Sequence, residues 1–142
     1  MGAMSDCIFC AILAGRAPAS RVYEDEVAVA FMDLRQAVEG HVLVVPRRHI
    51  EDIYALDEAT AGHLMAIAVR IAKALAAQDR PAGLNLWQSN GEAGGQEVPH
   101  VHLHVQPRRE HDGILRLYRD GLPAPADRAV LDRLAERIAR YL

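Results

Sequence analysis

Three histidines alternate with aliphatic residues in this sequence, and this pattern constrains the fold more than any other feature. The segment HVHLHVQ places His100, His102 and His104 two residues apart, with valine or leucine between them. Successive side chains of a β-strand point to opposite faces of the sheet. The segment therefore predicts a strand with three imidazoles on one face and a hydrophobic surface on the other.

A row of imidazoles can serve several kinds of chemistry, because the pKa of histidine lies near ~6.5. The residues alone leave three interpretations open: a solvent-exposed polar face, a metal site completed elsewhere, or catalysis at phosphorus with one histidine as nucleophile and another as proton donor. Gly91, Gly94 and Gly95 precede the strand, and glycine lets backbone N–H groups approach an anion closely. This loop favours the phosphate interpretation, although glycines also serve ordinary turns.

The other hydrophobic periodicities predict an α+β fold with a mostly antiparallel sheet. The predicted elements are a short helix over residues 7–14, a hairpin over 20–33, a strand over 40–46, a long helix over 57–78 with Asp57 as its cap, a strand over 83–89, the histidine strand over 100–107 and a helix over 127–142. The strands cluster around one long helix, which is typical of an α+β domain.

Length and composition indicate one globular domain over residues 1–142, with residues 114–142 as a C-terminal extension. Residues 1–4 are interpreted as a cloning remnant or a disordered start. The net charge of −3 argues against a protein that binds nucleic acid by neutralising phosphates. No apolar run reaches the ~18–20 residues of a membrane span, and no export signal precedes the domain. We therefore expect no nucleic-acid or membrane partner and a cytoplasmic location.

The histidine segment and its neighbours resemble the histidine triad (HIT) superfamily, in its nucleotide-binding branch. The segment GGQEVPHVHLHVQ is similar to the family signature, and CIFCAI, FMDL, GHVLVVPRRHI and the Asn90 loop are similar to its other landmarks in the same order. The resemblance covers residues 7–109. It implies an α+β fold with a five-stranded antiparallel sheet, a homodimer whose sheets join, and hydrolysis or transfer at the α-phosphate of a purine nucleotide.

The resemblance also implies roles for individual residues. His102 is the expected nucleophile that forms a covalent nucleotidyl-histidine, and His104 is expected to bind the phosphate or to protonate the leaving group. His100 is expected to orient both rings, and Asp33 to accept hydrogen bonds from the ribose hydroxyls. The expected phosphate contacts are Asn90, Gly95, Gln96, Glu97 and Val98, and the expected base contacts are Ile8, Phe9, Ile12, Phe31 and Leu34.

Glu97 departs from the animal relatives of the family, which carry at this position a serine that donates to the leaving group. An ionised carboxylate cannot donate, so that help must come from another group. Three functions stay open: hydrolysis of nucleoside phosphoramidates or adenylates, hydrolysis of dinucleoside polyphosphates, or regulatory nucleotide binding with little turnover. The transferase branch has glutamine in place of the third histidine, so His104 argues against that branch.

Cys7 and Cys10, the two cysteines of the chain, form a C-x-x-C pair. The residues alone allow a redox pair, a buried inert pair or half of a metal site. Many bacterial members of the HIT superfamily add the histidine of PRRHI and the first triad histidine, which implies structural Zn²⁺ held by Cys7, Cys10, His49 and His100. Three further histidines are interpreted as structural or surface residues: His41, His63 and His111.

Overall fold

The computed structural model describes residues 6–142, so the interpretation of residues 1–4 lies outside it. The described residues divide into two compact units, of which the first ends at Asp112 and the second spans Gly113–Leu142. The second unit begins one residue before the extension that the sequence predicts.

The first unit is one antiparallel sheet with a helix on each face. Its five strands stand in the order β1-β2-β3-β5-β4, and all four neighbouring pairs are antiparallel. The elements are α1 (Ile8–Leu13), β1 (Arg21–Glu24), β2 (Ala28–Met32), β3 (Val42–Pro46), α2 (Glu58–Asp79), β4 (Gly83–Trp87) and β5 (Leu103–Arg108). This architecture confirms the predicted α+β fold.

The long helix α2 forms the core with one face of the sheet. Asp57 caps it, as the sequence predicts, because its carboxylate accepts from the Thr60 N–H at 3.0 Å. Leu64, Ile67 and Ile71 are buried against the sheet. Length and composition alone would allow α2 to cross a membrane, but this packing makes it the core helix of the domain.

The short helix α1 packs on the opposite face of the sheet. Phe9 and Ile12 are buried there against a cluster that includes Phe31 of β2 and Leu43 of β3. A helix of 6 residues is too short to be stable by itself. Its position therefore depends on this burial and on the side chains around Cys7, described below.

The strand β5 begins at Leu103, so the prediction of a strand from His100 onward is wrong by three residues. The cause is local. Pro99 has no N–H for a strand ladder, and the His100 N–H donates to the Val98 carbonyl at 2.8 Å in a tight turn. Of the three histidines, only His104 therefore lies within the sheet. Leu103 and Val105 pack in the core cluster that includes α2, and Val101 is buried, as expected of the aliphatic face.

The second unit contains α3 (Arg128–Ala139), which confirms the predicted C-terminal helix. None of its residues is buried within the described chain. Its apolar side chains remain more than one third exposed, namely Leu131, Leu134 and Ile138.

Candidate active site and metal cluster

The imidazole of His102 is held in one tautomer by the protein backbone. Its Nδ1 lies 2.6 Å from the carbonyl oxygen of His100. A carbonyl oxygen only accepts hydrogen bonds, so Nδ1 carries the proton and Nε2 keeps its lone pair. The Phe9 ring meets the imidazole edge-on, with centroids 5.0 Å apart. His102 Nε2 therefore carries a lone pair and no proton.

The surroundings of His102 keep it neutral near physiological pH. Burial lowers the pKa of His102, while the hydrogen bond to the His100 carbonyl and the charges of Asp33 and Glu97 act in the opposite direction. A neutral imidazole is the form that can attack an electrophile. The electrostatics thus agree with the tautomer on a nucleophilic role.

His104 lies beside His102 and contacts His41, which in turn lies near Asp33. The His102 and His104 rings are 4.8 Å apart between centroids. The Nδ1 of His104 is 2.9 Å from Nε2 of His41, and Nδ1 of His41 is 3.7 Å from a carboxylate oxygen of Asp33. Burial, the neighbouring His102 and then His41 lower the pKa of His104 to about 3.

The contacts from Asp33 through His41 to His104 have a preferred direction. The negative charge of Asp33 favours a proton on His41 Nδ1, the nitrogen that faces it, and with that proton in place His41 Nε2 accepts from His104 Nδ1–H. Burial lowers the pKa of His41, and the Asp33 charge opposes this effect. His104 Nε2 is then the nitrogen that can exchange a proton with a bound molecule.

Two residues of this site were missed by the sequence reasoning. His41, interpreted above as structural or surface, contacts His104, and Trp87 stacks on the same ring with centroids 4.2 Å apart and planes 6° apart. Trp87 is paired with His104 between β4 and β5. Only the strand pairing reveals these contacts, since His41 and Trp87 lie far from His104 in the sequence.

In the loop that contains Gly91, Gly94 and Gly95, the amide side chains that the sequence assigns to phosphate form hydrogen bonds within the protein. Gln96 Oε1 accepts from the Gly91 N–H at 2.9 Å, and Gln96 Nε2 donates to the carbonyl of Glu51 at 2.7 Å. Asn90 Oδ1 accepts from the Ile53 N–H at 2.7 Å. These hydrogen bonds to backbone groups of the same loop and of the 51–53 segment stabilise the conformation of the loop.

The backbone of this loop is the remaining source of phosphate donors. The N–H of Gly95 donates to Glu92, and that of Gln96 donates to Gly91. Within residues 6–142, no acceptor is found for the N–H groups of Glu97 and Val98. These two groups can still donate to a bound anion.

The expected base contacts fall into two groups. Phe9, Ile12 and Phe31 are buried in the cluster between α1 and the sheet, with Phe9 directly against His102. Ile8 is 50% exposed and Leu34 is 95% exposed. Only the last two offer open apolar surface, while the first three support the site from beneath.

Glu97 stands at the mouth of the site and has a partner. Its carboxylate lies 3.7 Å from the Arg35 guanidinium, and both side chains are more than four fifths exposed. Arg35 follows Asp33, whose Oδ1 accepts from the Arg35 N–H at 2.7 Å. The ion pair thus joins the loop that carries Asp33 to the loop that precedes the histidines.

Four side chains of the types that bind metals meet near His102. Donor atoms of Cys7, Cys10, His49 and His100 all lie within 4.8 Å of one another. Cys10 Sγ is 3.3 Å from His49 Nδ1 and 3.6 Å from His100 Nδ1, and Cys7 Sγ is 3.5 Å from His100 Nδ1. Tetrahedral Zn²⁺ places sulfur and nitrogen ligands about 3.6 Å apart, so the spacing fits zinc.

The protonation of the cluster fits a metal as well. His100 Nε2 lies 2.8 Å from the Pro46 carbonyl and must carry the proton, which leaves Nδ1 unprotonated toward the sulfurs. Burial lowers the pKa of His100 to about 4. Burial and the Cys7 hydrogen bond raise the pKa of the Cys10 thiol, a cost that a bound cation would offset.

Comparison with known proteins agrees with this geometry. The profile of the HIT domain family matches residues 14–111. The chain belongs to the HIT family. This superfamily comprises nucleotide-binding hydrolases and transferases, and the match includes all three triad histidines.

Two proteins from different organisms are similar to this HIT chain in sequence. A protein named hit from Bacillus subtilis is 43% identical over 108 residues, which cover 76% of this chain and 74% of the relative. The adenosine 5'-monophosphoramidase HNT1 of Saccharomyces cerevisiae is 35% identical over 110 residues, which cover 77% of this chain and 67% of the yeast protein.

Two solved structures share the fold. A HIT family protein from Bacillus anthracis superposes with a TM-score of 0.89 at 38% identity and covers 96% of this chain and 97% of its own. A zinc-bound histidine triad protein from Mycobacterium smegmatis has a TM-score of 0.73 at 34% identity, with 95% and 99% covered.

Proposed function

We propose that this HIT protein hydrolyses purine nucleotide derivatives at the α-phosphate, with nucleoside phosphoramidates or adenylates as substrates. The observation that carries the proposal is the His102 tautomer, because the His100 carbonyl leaves Nε2 as an unprotonated, buried nucleophile. The yeast relative named as an adenosine 5'-monophosphoramidase supports the choice of substrate class.

The reaction follows from the two facing imidazoles. His102 Nε2 attacks phosphorus and forms a P–N bond to the enzyme. His104 enters this step as the imidazolium, because it takes up a second proton on Nε2 beside the phosphate anion of the substrate, and the leaving amine removes that proton as its bond to phosphorus breaks. Water then attacks the same phosphorus, the P–N bond to His102 breaks, and the proton of water returns to His104. The sum is phosphoramidate plus water giving nucleotide plus amine.

The surrounding groups serve binding in this proposal. The N–H groups of Glu97 and Val98 donate to the phosphoryl oxygens and stabilise the charge that develops there. Asp33 lies at the start of the loop beside His102, where a carboxylate can accept from both hydroxyls of a ribose. Ile8 and Leu34 supply the open apolar surface for a base.

We also propose that Cys7, Cys10, His49 and His100 hold structural Zn²⁺. The sulfur–nitrogen spacing and the His100 tautomer support this assignment, and the related Mycobacterium smegmatis protein is described as zinc-bound. Bound zinc would fix α1 to the segment that carries His102. Both cysteines are free thiols, and zinc binding requires that they stay reduced, so we propose a cytoplasmic location.

The outer face of the domain supports a homodimer as a further proposal. β4 is an edge strand, and Met65 and Val69 expose apolar surface on α2. An unpaired edge strand invites pairing with a second copy. Sedimentation equilibrium of the wild type and of Val69→Glu tests this: a dimer that dissociates in the variant supports it, and a monomeric wild type contradicts it.

The decisive experiment for function compares wild type with His102→Ala on two substrates, an adenosine phosphoramidate and a diadenosine polyphosphate. We expect the phosphoramidate to be cleaved with release of AMP, and His102→Ala to reduce this rate by at least about 10³-fold. Faster cleavage of the polyphosphate would move the protein to the other hydrolase class. AMP binding with equal, negligible rates in both proteins would indicate a regulatory module.

A further inference from the structure

Trp87 is the one tryptophan of the chain, and its position is unusual. It lies on the edge strand β4, directly paired with His104 of β5. The indole and the imidazole are stacked almost in parallel, with centroids 4.2 Å apart and planes 6° apart. The indole also lies 5.3 Å from the His41 ring.

We propose that Trp87 is a positioning residue for His104: its indole face fixes the imidazole plane and stabilises the protonated ring that delivers the proton to the leaving group. The inference rests on the proposed hydrolysis and deepens it. It assigns the leaving-group proton to a specific pair of residues.

The stacked indole favours a positive charge on His104, whereas the neighbouring imidazoles oppose it. His104 is half-buried between His102 and His41, and both neighbouring imidazoles disfavour a second positive charge. The Asp33 carboxylate lies one residue further away, behind His41. The electron-rich face of an indole attracts a cation strongly when water is excluded. Trp87 therefore favours the imidazolium that an acid at this place requires.

Stacking also sets where the proton is delivered. His104 Nδ1 is fixed by its 2.9 Å contact with His41 Nε2, and the flat indole prevents rotation of the ring out of this plane. The remaining nitrogen, Nε2, is then aimed at the molecule that His102 attacks. By the family resemblance, Glu97 occupies the place of a hydroxyl donor, and an ionised carboxylate has no proton to give.

The test uses two adenosine 5'-phosphate derivatives that differ only in the leaving group. An alkylamine leaves phosphorus only when it is protonated, whereas p-nitrophenolate leaves without a proton. The variants are Trp87→Leu, which keeps an apolar side chain, Trp87→Phe, which keeps an aromatic face, and His104→Gln, which removes the acid.

We expect Trp87→Leu to lower the single-turnover rate of alkylamine release about ten-fold and to change that of p-nitrophenolate release less than two-fold, because a single turnover isolates departure of the leaving group from the later hydrolysis step that both substrates share. Trp87→Phe should restore most of the loss, and His104→Gln should show the same selectivity with a larger effect. Equal losses on both substrates would show a general structural role and overturn the proposal. Unchanged rates in Trp87→Leu would overturn it as well.

The fluorescence of Trp87 tests the role of the indole independently of whether the protein hydrolyses either substrate. A protonated imidazole quenches a stacked indole, so AMP, whose phosphate favours the His104 cation, should quench Trp87 in the wild type and not in His104→Gln. If the wild type cleaves neither substrate, the proposed hydrolysis fails. Identical emission changes in both proteins would then overturn the role of Trp87 independently.

Discussion

Phe9 offers the sharpest test of how the fold supports the site. The ring is 6% exposed and makes edge-on contacts with Phe31, His100 and His102 at centroid distances of 5.4, 5.8 and 5.0 Å. Such contacts contribute about 0.5–1.5 kcal/mol each beyond burial. Phe9→Leu preserves most of the apolar volume, so the loss comes chiefly from these three ring contacts. We expect the free energy of unfolding to fall by about 2–4 kcal/mol.

The same substitution distinguishes two roles for Phe9. If Phe9 supports His102, Phe9→Leu should lower kcat, because the proposed nucleophile loses its lateral contact, and KM should change little. A base contact would instead raise KM at constant kcat. Urea denaturation and steady-state hydrolysis of an adenosine phosphoramidate provide the two measurements.

Leu34→Ala is the matched control, since Leu34 is 95% exposed. Its unfolding free energy should stay within about 0.5 kcal/mol of the wild type. A loss below about 1 kcal/mol in Phe9→Leu, together with unchanged kcat, would refute the reasoning.

Four further measurements test other parts of the molecule. Leu64→Ala removes a side chain that is 1% exposed in the core, and chemical denaturation should show a loss of about 2–5 kcal/mol; a loss below 1 kcal/mol would contradict the packing. Glu97→Ser should raise phosphoramidate turnover, because a hydroxyl donor replaces a carboxylate; a slower variant would show that the Arg35 pair matters more. Cys10→Ser should lower the zinc content measured by atomic absorption from one per chain to less than half, and an unchanged content would exclude the proposed ligands. The pKa of His104 is about 3 in the folded chain and ~6.5 in the unfolded chain, so the unfolded chain binds a proton at higher pH. The free energy of unfolding should therefore fall by up to about 1.4 kcal/mol per pH unit as the pH drops from ~6.5 toward 3. That slope should be shallower in His104→Gln, and an equal slope would assign it to other groups.

Much of the fold was readable from local patterns. The alternation in the histidine segment, the helical spacing of α2 and its Asp57 cap were sufficient for the element order, since each depends on nearby residues. The start of β5 was not, because Pro99 and the turn at His100 override the alternation. The family resemblance, and not the patterns, supplied the sheet and the role of each histidine.

The contacts around His104 depended on strand order, which the sequence does not display. His41 and Trp87 reach that ring only because β3 and β4 lie on either side of β5. The braced positions of Gln96 and Asn90 were equally hidden, because both amides bond to backbone groups of other loops. By contrast, the four candidate metal ligands came together as the family resemblance implied, whereas the residue types alone had left a redox pair or an inert pair equally open.

The bond from His102 to the His100 carbonyl has a consequence for how the protein can change. The acceptor belongs to the main chain, so no single codon change at position 100 deletes it. Substitutions there can remove the proposed metal ligand while the chain keeps a carbonyl oxygen for His102 Nδ1. The proposed metal site can therefore be changed or lost through mutation at position 100 without loss of the backbone group that holds the proposed nucleophile in its tautomer.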